Sequence, residues 1–425
     1  MIKTYMYNEV SPAELFGRKA DTVDVQSIVA DILKDVRENG DAAVLSYGKK
    51  FDGADIDTLE VTAEEWDAAV AEIPAEFMDI LKEAAANITA FHIHQKRDGF
   101  EMKKANGVIL GQKVTPLKRV GLYVPGGTAS YPSSVLMNCI PAKIAGVEEI
   151  IMVTPAKGGV IPPAILAAAK VAGVGRIFKT GGAQAVAALA YGTDTVPQVD
   201  KIVGPGNAFV AEAKRQVYGL VDIDMIAGPS EILVVADSTA NPRFVAADLL
   251  SQAEHDKLAS AVLITDSKAL AAAVTEEIEK QLGTLPREEI ARASIDDYGK
   301  IIVCEDLKES VKVANDIAPE HLELCVQDPF AWLPAIKNAG SIFLGKYCPE
   351  ALGDYFAGPN HTLPTMGTAR FSSPLGVDDF VKRSAYSYFT KEALWEVADK
   401  VAYFAEKEGL SAHARSATIR KEEEV

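Results

Sequence analysis

Positive charge is scarce in this chain of 425 residues. Lysine and arginine together number 43 against 60 aspartates and glutamates, so the formal net charge is −17. A surface with this balance repels phosphate backbones and anionic lipids, and neither a nucleic-acid partner nor a membrane partner is expected. Long apolar runs are lacking as well. The most apolar stretch, Ile161 to Ile177, is interrupted by two prolines and two basic residues and is too short to cross a bilayer.

Cysteine is also rare, and its spacing is uninformative. Cys139, Cys304, Cys325 and Cys348 are widely separated and form no C-x-x-C pair. Buried, free thiols in a reducing compartment are therefore expected in place of a disulfide framework. The chain starts without the apolar segment of a signal peptide, so the sequence predicts a cytoplasmic location. Hydrophobic residues make up 48% of the chain, which is ordinary for a globular protein of about two to four domains.

Histidine is scarce enough for every position to be considered. The six histidines are His92, His94, His255, His321, His361 and His413. His92 and His94 are two residues apart in a helical stretch, lie on nearly opposite faces and are interpreted as structural. The other four lie near carboxylates or in a Gly/Pro-rich loop, and this setting favours general acid/base or metal chemistry.

The first part of the chain has helical periodicity. Apolar residues recur every three to four positions from Asp21 to Asn39, where Gly40 ends the pattern, and again over 62–73 and 76–96. Thr62 and Glu65 have the spacing of a capping box.

From Arg119 onward, short apolar runs alternate with Ala-rich helical stretches at the spacing of βαβ units. Strands are predicted at 120–124, 149–153, 176–179 and 201–203, and in a second block at 231–236, 261–264, 300–304, 322–326 and 341–344. This alternation of strands and helices predicts an α/β fold with two Rossmann-like, doubly wound parallel sheets. Helical patterns return at Val377 to Arg383 and Lys391 to Lys407, so small helical N- and C-terminal pieces complete the predicted fold.

Two short motifs carry side chains suited to catalysis. Gln252 and His255 are three apart on a predicted helix and share one face, which allows a metal ion or simply a polar helix end. Glu320 and His321 begin a predicted strand. A histidine beside a carboxylate suits a general base, although strand neighbours point to opposite faces and a solvated pair is the alternative.

Two other motifs lie in less regular segments. Asp354 and His361 flank a Gly/Pro/Asn-rich loop, which is either functional or an ordinary surface connection. His413 follows Glu408 near the C-terminus, where a histidine is usually without function.

Glycine-rich turns follow several predicted strands, although the first strand is not followed by G-x-G-x-x-G. The turns are Pro125-Gly126-Gly127, Gly181-Gly182-Ala183-Gln184 and Gly204-Pro205-Gly206-Asn207. Such turns direct backbone N–H groups and helix N-termini toward a phosphate, and together they favour a nucleotide at one edge of the sheet.

With these motifs in place, the chain resembles the histidinol dehydrogenase family from about residue 20 to about residue 420. The matching segments are 123–133, 204–210, 223–231, 247–256, 318–324, 358–365 and 408–414. The resemblance implies oxidation of L-histidinol to L-histidine through a bound aldehyde, with two NAD+ and one Zn²⁺ per subunit.

The resemblance also assigns roles to individual residues. It implies zinc ligands at Gln252, His255, Asp354 and His413, the last supplied by the other subunit of a domain-swapped homodimer, and proton chemistry at Glu320 and His321. It implies substrate contacts at Ser230, Gln252, His255, His321, Asp354, His361, Glu408 and His413, and NAD contacts at Tyr123, Gln184 and Asn207. No position in this set departs from the family pattern.

The domain boundaries follow from the alternating blocks. We expect an N-terminal arm at 1–20, a discontinuous α/β domain at 21–118 plus 236–374, a second Rossmann-like domain at 119–235 and a swapped helical segment at 375–425. Three alternatives stay open on the residues alone: oxidation of another polar alcohol, a zinc hydrolase without nicotinamide, and a metal-binding protein without catalysis.

Overall fold

A computed structural model describes residues 1–10, 25–126 and 130–422. The strands are β1 Lys3–Met6, β2 Phe100–Lys103, β3 Ile109–Pro116, β4 Arg119–Tyr123, β5 Glu149–Thr154, β6 Arg176–Lys179, β7 Lys201–Val203, β8 Asp222–Ile223, β9 Glu231–Ala236, β10 Ser260–Thr265, β11 Lys300–Val303, β12 His321–Cys325, β13 Ser341–Leu344 and β14 Val381–Tyr388.

Helices alternate with these strands over most of the chain. They are α1 Val25–Asp52, α2 Ala63–Ala71, α3 Ala75–His92, α4 Pro132–Ala145, α5 Pro163–Ala172, α6 Gly182–Tyr191, α7 Ala208–Val217, α8 Pro242–Ala253, α9 Lys268–Leu282, α10 Glu288–Asp297, α11 Leu307–Ile317, α12 Pro329–Trp332, α13 Glu350–Tyr355, α14 Lys391–Lys407 and α15 Ser411–Thr418. In α1 the helical backbone breaks at Gly40, as its φ of 52° requires; the predicted start at Asp21 lies outside the described residues. The predicted capping box is confirmed, because Thr62 and Glu65 each bond the other's backbone N–H.

The two predicted parallel sheets are confirmed. One has the order β1-β11-β10-β9-β12-β13 and the other β6-β5-β4-β7-β8, and every pairing within them is parallel. Alternate residues of β9 enter different cores: Ile232 and Val234 pack with Leu249 of α8, whereas Leu233 and Val235 pack with Val313 of α11. Helices therefore cover both faces of the six-stranded sheet, which explains why its strands are apolar throughout.

The described chain divides into two compact units, Met1–Gln95 with Leu117–Phe380 and Lys96–Pro116 with Val381–Val425. Both parallel sheets belong to the first unit. Within it, α1 packs on α6 and α7, and α3 packs on α4. The finer division into an arm at 1–20, domains at 21–118 plus 236–374 and at 119–235, and a segment at 375–425 stays a proposal.

The second unit contains an antiparallel sheet of order β14-β3-β2 and the helices α14 and α15. The helix predicted from Val377 to Arg383 is wrong. A 3₁₀ turn at Val377–Phe380 is followed by β14, which pairs with β3 from Val381↔Pro116 to Tyr388↔Ile109. Backbone pairing with a segment distant in sequence overrides the weak local preference for a helix.

All four cysteines are free, as predicted. Cys139, Cys304 and Cys325 are buried, whereas Cys348 is half-buried. Over residues 1–10, 25–126 and 130–422, none of the helices combines the length and the apolar character needed to cross a membrane.

Candidate functional site

The amino-terminal edge of the six-stranded sheet brings together the best catalytic candidates. β9 and β12 are neighbours with His321 opposite Ile232, so the residues preceding these strands, Ser230 and Glu320, lie at the same edge. Helix α8 runs back along β9 and ends at this edge, where it places Gln252 and His255. Parallel strands in register thus bring together side chains that are about 90 residues apart in sequence.

The orientation of the His321 ring is set by the backbone of β9. Its Nδ1 lies 2.9 Å from the carbonyl oxygen of Glu231 and 3.1 Å from the amide nitrogen of Gln252. A carbonyl oxygen can only accept, so Nδ1 carries the proton and donates it there. The Gln252 nitrogen then makes a contact and not a second hydrogen bond. Nε2 therefore keeps a free lone pair, which is what a general base requires.

Among the residues that the structure describes, three polar atoms of this site are buried and have no hydrogen-bond partner. They are His321 Nε2, Gln252 Oε1 and Glu350 Oε1. Nε2 of His321 lies 4.0 Å from Glu350 Oε1 and 3.9 Å from Asp354 Oδ1, and the ligand atoms of these three residues lie within 4.8 Å of one another. Buried polar atoms are rarely left unsatisfied, so their clustering indicates a bound ion or substrate.

The carboxylates of the site raise one another's pKa. Burial raises the pKa of Glu320 well above its usual value, and the charges of Glu231, Asp354 and Glu350 act in the same direction. Burial likewise raises the pKa of Asp354, with further contributions from the charge of Glu350 and a hydrogen bond to it. A cation bound here would relieve this repulsion, so the electrostatics favour a metal ion or an ammonium group.

The pKa values of two histidines shift in the opposite direction, downward. Burial lowers the pKa of His321, and burial also lowers the pKa of His361 to about 4. A charge on His255 would lower the pKa of both rings further. His321 and His361 are therefore neutral near pH 7 and able to accept a proton or to bind a metal or substrate.

Glu320 and His321 do not diverge as strand neighbours would. Glu320 precedes the first residue of β12, and its Oε2 lies 3.7 Å from His321 Nδ1. The same oxygen accepts the backbone N–H of Glu231 at 2.9 Å. The expectation that the two side chains act from different directions is wrong, because strict alternation begins only within the strand.

Asp354 and His361 meet, as their loop setting suggests. Nδ1 of His361 lies 3.1 Å from the carbonyl oxygen of Asp354 and 3.6 Å from its Oδ1, and Nε2 lies 3.3 Å from the hydroxyl of Ser134. Ser134 belongs to the first turn of α4, which follows the carboxyl end of β4. Helix α4 thus connects this site to the carboxyl edge of the five-stranded sheet.

Sequence reasoning missed Glu350. Its side chain is 2% exposed, its Oε2 lies 3.0 Å from the Ser251 hydroxyl oxygen, and its backbone N–H donates to Glu323 Oε1 at 2.7 Å. The sequence shows only that Glu350 and Asp354 are four positions apart, the spacing that places two carboxylates on one helix face, and this spacing does not indicate burial. The surrounding glycines and prolines indicated a loop and concealed α13.

Glu408 and His413 belong to the second unit. Glu408 caps α14, and His413 is an exposed residue of α15 whose carbonyl oxygen accepts from the Ser416 hydroxyl. Their predicted contribution to the site stays a prediction.

The carboxyl edge of the five-stranded sheet carries the predicted cofactor residues. The strand order reverses between β4 and β7, and this kind of switch point commonly binds nucleotides. Tyr123 ends β4 and accepts the Gly182 N–H at 3.0 Å; burial raises the pKa of Tyr123 to about 12. Gln184 is buried in α6, and Asn207 caps α7 by accepting two backbone N–H groups. Gly127 of the first glycine-rich turn lies outside the described residues.

Comparisons with known proteins agree on one family. The family model for histidinol dehydrogenase matches residues 17–421. The histidinol dehydrogenase of Syntrophotalea carbinolica is 58% identical over 398 residues, which cover 93% of this chain and 92% of that protein. The histidinol dehydrogenase of Clostridium acetobutylicum is 55% identical over 401 residues, which cover 94% of this chain and 93% of that protein. A crystal structure of the Elizabethkingia anophelis histidinol dehydrogenase has a TM-score of 0.94 at 38% identity, covering 99% of this chain and 98% of that one.

Proposed function

The chain belongs to the histidinol dehydrogenase family, a family of NAD-dependent oxidoreductases, and on this premise we propose that it oxidises L-histidinol to L-histidine through a bound L-histidinal. Two hydrides pass to two NAD+. The observation that carries the proposal is the buried cluster of unpaired atoms at His321, Gln252 and Glu350, which offers a base and acidic groups to a cationic amino alcohol.

The residues of the site fit a zinc ion. Gln252 Oε1 is a buried oxygen that has no hydrogen-bond partner among the described residues and could bind a metal ion. Asp354 lies among carboxylates that a cation would stabilise. We propose that Gln252, His255 and Asp354, with His413 of a second copy, hold Zn²⁺. The ion has no redox role; when bound, it would hold the imidazole and amino nitrogens of the substrate and so orient the carbinol carbon.

In this proposal the protein's own residues move the protons. His321 Nε2 takes the hydroxyl proton of histidinol as the first hydride leaves its carbon for NAD+, which produces the aldehyde. Glu320 then takes a proton from the water that adds to the aldehyde. The second hydride leaves the hydrate for the second NAD+, and the remaining hydroxyl proton is released to solvent as the carboxylate forms. Glu320 is buried beside His321, and 3.7 Å separates its Oε2 from Nδ1 of that ring.

Other residues are proposed to hold the two ligands. Ser230, His361 and Glu408 would contact histidinol, and Tyr123, Gln184 and Asn207 would contact NAD+ at the carboxyl edge of the five-stranded sheet. Helix α4 supports this arrangement, because it begins beside that edge and its Ser134 contacts His361. The predicted cytoplasmic location stays a prediction.

Counting product tests the reaction. Purified protein with limiting histidinol and excess NAD+ is expected to form two NADH for each histidinol, with histidine as the product. A chelator should suppress the reaction, and an amino alcohol without imidazole is the control substrate. One NADH per histidinol, or equal turnover of the control alcohol, would contradict the proposed function.

Mixed dimers test the proposed sharing of His413. His321→Ala and His413→Ala proteins are each expected to be nearly inactive, but a heterodimer would contain one site with both native histidines. Random mixing through unfolding and refolding should therefore recover about a quarter of the wild-type activity, since half of the dimers are mixed and each has one intact site.

The control is a mixture of His321→Ala with Glu320→Gln. Both substitutions lie in the same half of the proposed site, so no heterodimer site retains both native residues and activity should stay low. Recovery in the control, or none in the His413 mixture, would show that His413 does not act across subunits.

A further inference from the structure

A buried ion pair lies beneath the glycine-rich turn that follows β7. Lys214 of α7 and Asp224, just after β8, have side chains that are 2% and 1% exposed and are in direct contact. The Lys214 ammonium donates to the carbonyl oxygen of Gly204 at 3.0 Å, and Asp224 Oδ2 accepts the N–H of the same residue at 2.7 Å. The pair thus holds both backbone polar groups of Gly204.

The backbone at position 204 has a conformation and a close contact that favour glycine. Its φ is +115°, and a Cβ there would lie 2.0 Å from the carbonyl oxygen of Tyr123. The end of β7 is therefore packed against the end of β4, where the Tyr123 hydroxyl accepts the N–H of Gly182. Three residues after Gly204, Asn207 caps α7. The ion pair accordingly controls the start of a turn whose end is a predicted NAD contact.

Stability alone is a poor reason for this pair. Burying two charges costs desolvation energy that their attraction often fails to exceed, and apolar pairs of similar size are frequently as stable. What charges and hydrogen bonds supply is a defined backbone geometry. We propose that Lys214 and Asp224 are positioning residues for NAD+: by holding Gly204, they keep the 204–207 turn in the conformation that receives the dinucleotide. This inference rests on the proposed cofactor site.

The test is a double variant, Lys214→Met with Asp224→Asn. It removes both charges together, so neither is left buried and unpaired, and the asparagine oxygen can still accept the Gly204 N–H. We expect the dissociation constant for NAD+, measured by calorimetric titration, and the KM for NAD+ to rise about tenfold to a hundredfold. At saturating NAD+, kcat and the KM for histidinol should change less than twofold.

A second ion pair, which joins β7 to β8, provides the control. Lys201 at the start of β7 contacts Asp222 of β8 at 2.9 Å, at the opposite end of β7 from Gly204. Lys201→Met with Asp222→Asn should leave NAD+ binding unchanged. Thermal unfolding of both variants separates lost folding from lost positioning. Unaltered NAD+ affinity in the folded Lys214/Asp224 variant, or an equal loss in the control, would overturn the inference.

Two failures are distinguishable in this design. If the wild-type protein itself neither binds NAD+ nor reduces it, the proposed function is wrong; if it binds NAD+ and the variant binds equally well, only the positioning role is wrong. Should the double variant be recovered unfolded, Lys214→Arg replaces it. Arginine keeps the charge but changes the group that reaches the Gly204 carbonyl, and the same two outcomes decide.

Discussion

Replacing His321 by alanine is expected to lower kcat about a thousandfold, or about 4 kcal/mol of transition-state stabilisation. The reason is the free Nε2 lone pair, which is buried and directed by the bond from Nδ1 to the Glu231 carbonyl oxygen. Without the imidazole, the hydroxyl proton has no acceptor when the hydride leaves. Because His321 is not among the proposed metal ligands, the zinc content of the variant should remain near that of the wild type.

The measurement is kcat at saturating histidinol and NAD+, together with zinc per subunit by atomic absorption. His94→Ala is the matched control, since His94 lies on the surface in the 3₁₀ turn after α3 and should retain full activity. A kcat within a few-fold of the wild type in His321→Ala would remove His321 from the role of base. Loss of zinc would instead indicate a structural effect.

Replacing Asp354 by asparagine is expected to have the second largest effect. The substitution removes a negative charge from a buried cluster in which Glu350 and His321 lie close by, so the attraction for a divalent cation falls. We expect zinc affinity to fall by at least about a hundredfold, and kcat to fall in proportion to the ion lost. Direct competition with a chromogenic chelator measures the affinity without depending on activity.

Reversibility distinguishes metal loss from misfolding. The wild-type protein, once stripped by chelator, should regain activity when Zn²⁺ is added, whereas Asp354→Asn should need a much higher zinc concentration. Asp256→Asn is the control, because Asp256 is exposed and its Oδ1 accepts the N–H of Leu258, which an asparagine oxygen can still accept. Unchanged zinc affinity in Asp354→Asn would exclude Asp354 as a ligand.

Local periodicity was a good guide to the parallel sheets. β9 is apolar at nearly every position because both of its faces are buried, and the same holds for β5. The capping box at Thr62 and Glu65 was equally predictable, because these two residues are three positions apart and need no distant partner. Such features depend on interactions within a few residues, which a sequence displays directly.

Long-range pairing was not readable in the same way. β14 is a strand because it pairs with β3. That partner lies more than 260 residues earlier in the chain, and nothing in Val377 to Arg383 indicates it. Glu350 was missed for a related reason. Its importance comes from burial beside His321 and Asp354, and a glutamate among glycines and prolines has no local mark of burial.

The sequence by itself determined the alternation of strands and helices, the two-sheet α/β class, and which histidines and carboxylates are available for chemistry. These features depend on local periodicity and residue type. Only the tertiary structure decided which of those groups meet. Parallel strand register placed Glu231 against His321 and so left Nε2 free. The return of α8 to the same edge brought Gln252 into contact with that ring. Contacts between residues distant in sequence depend on how the sheet is assembled, and no local pattern records that assembly.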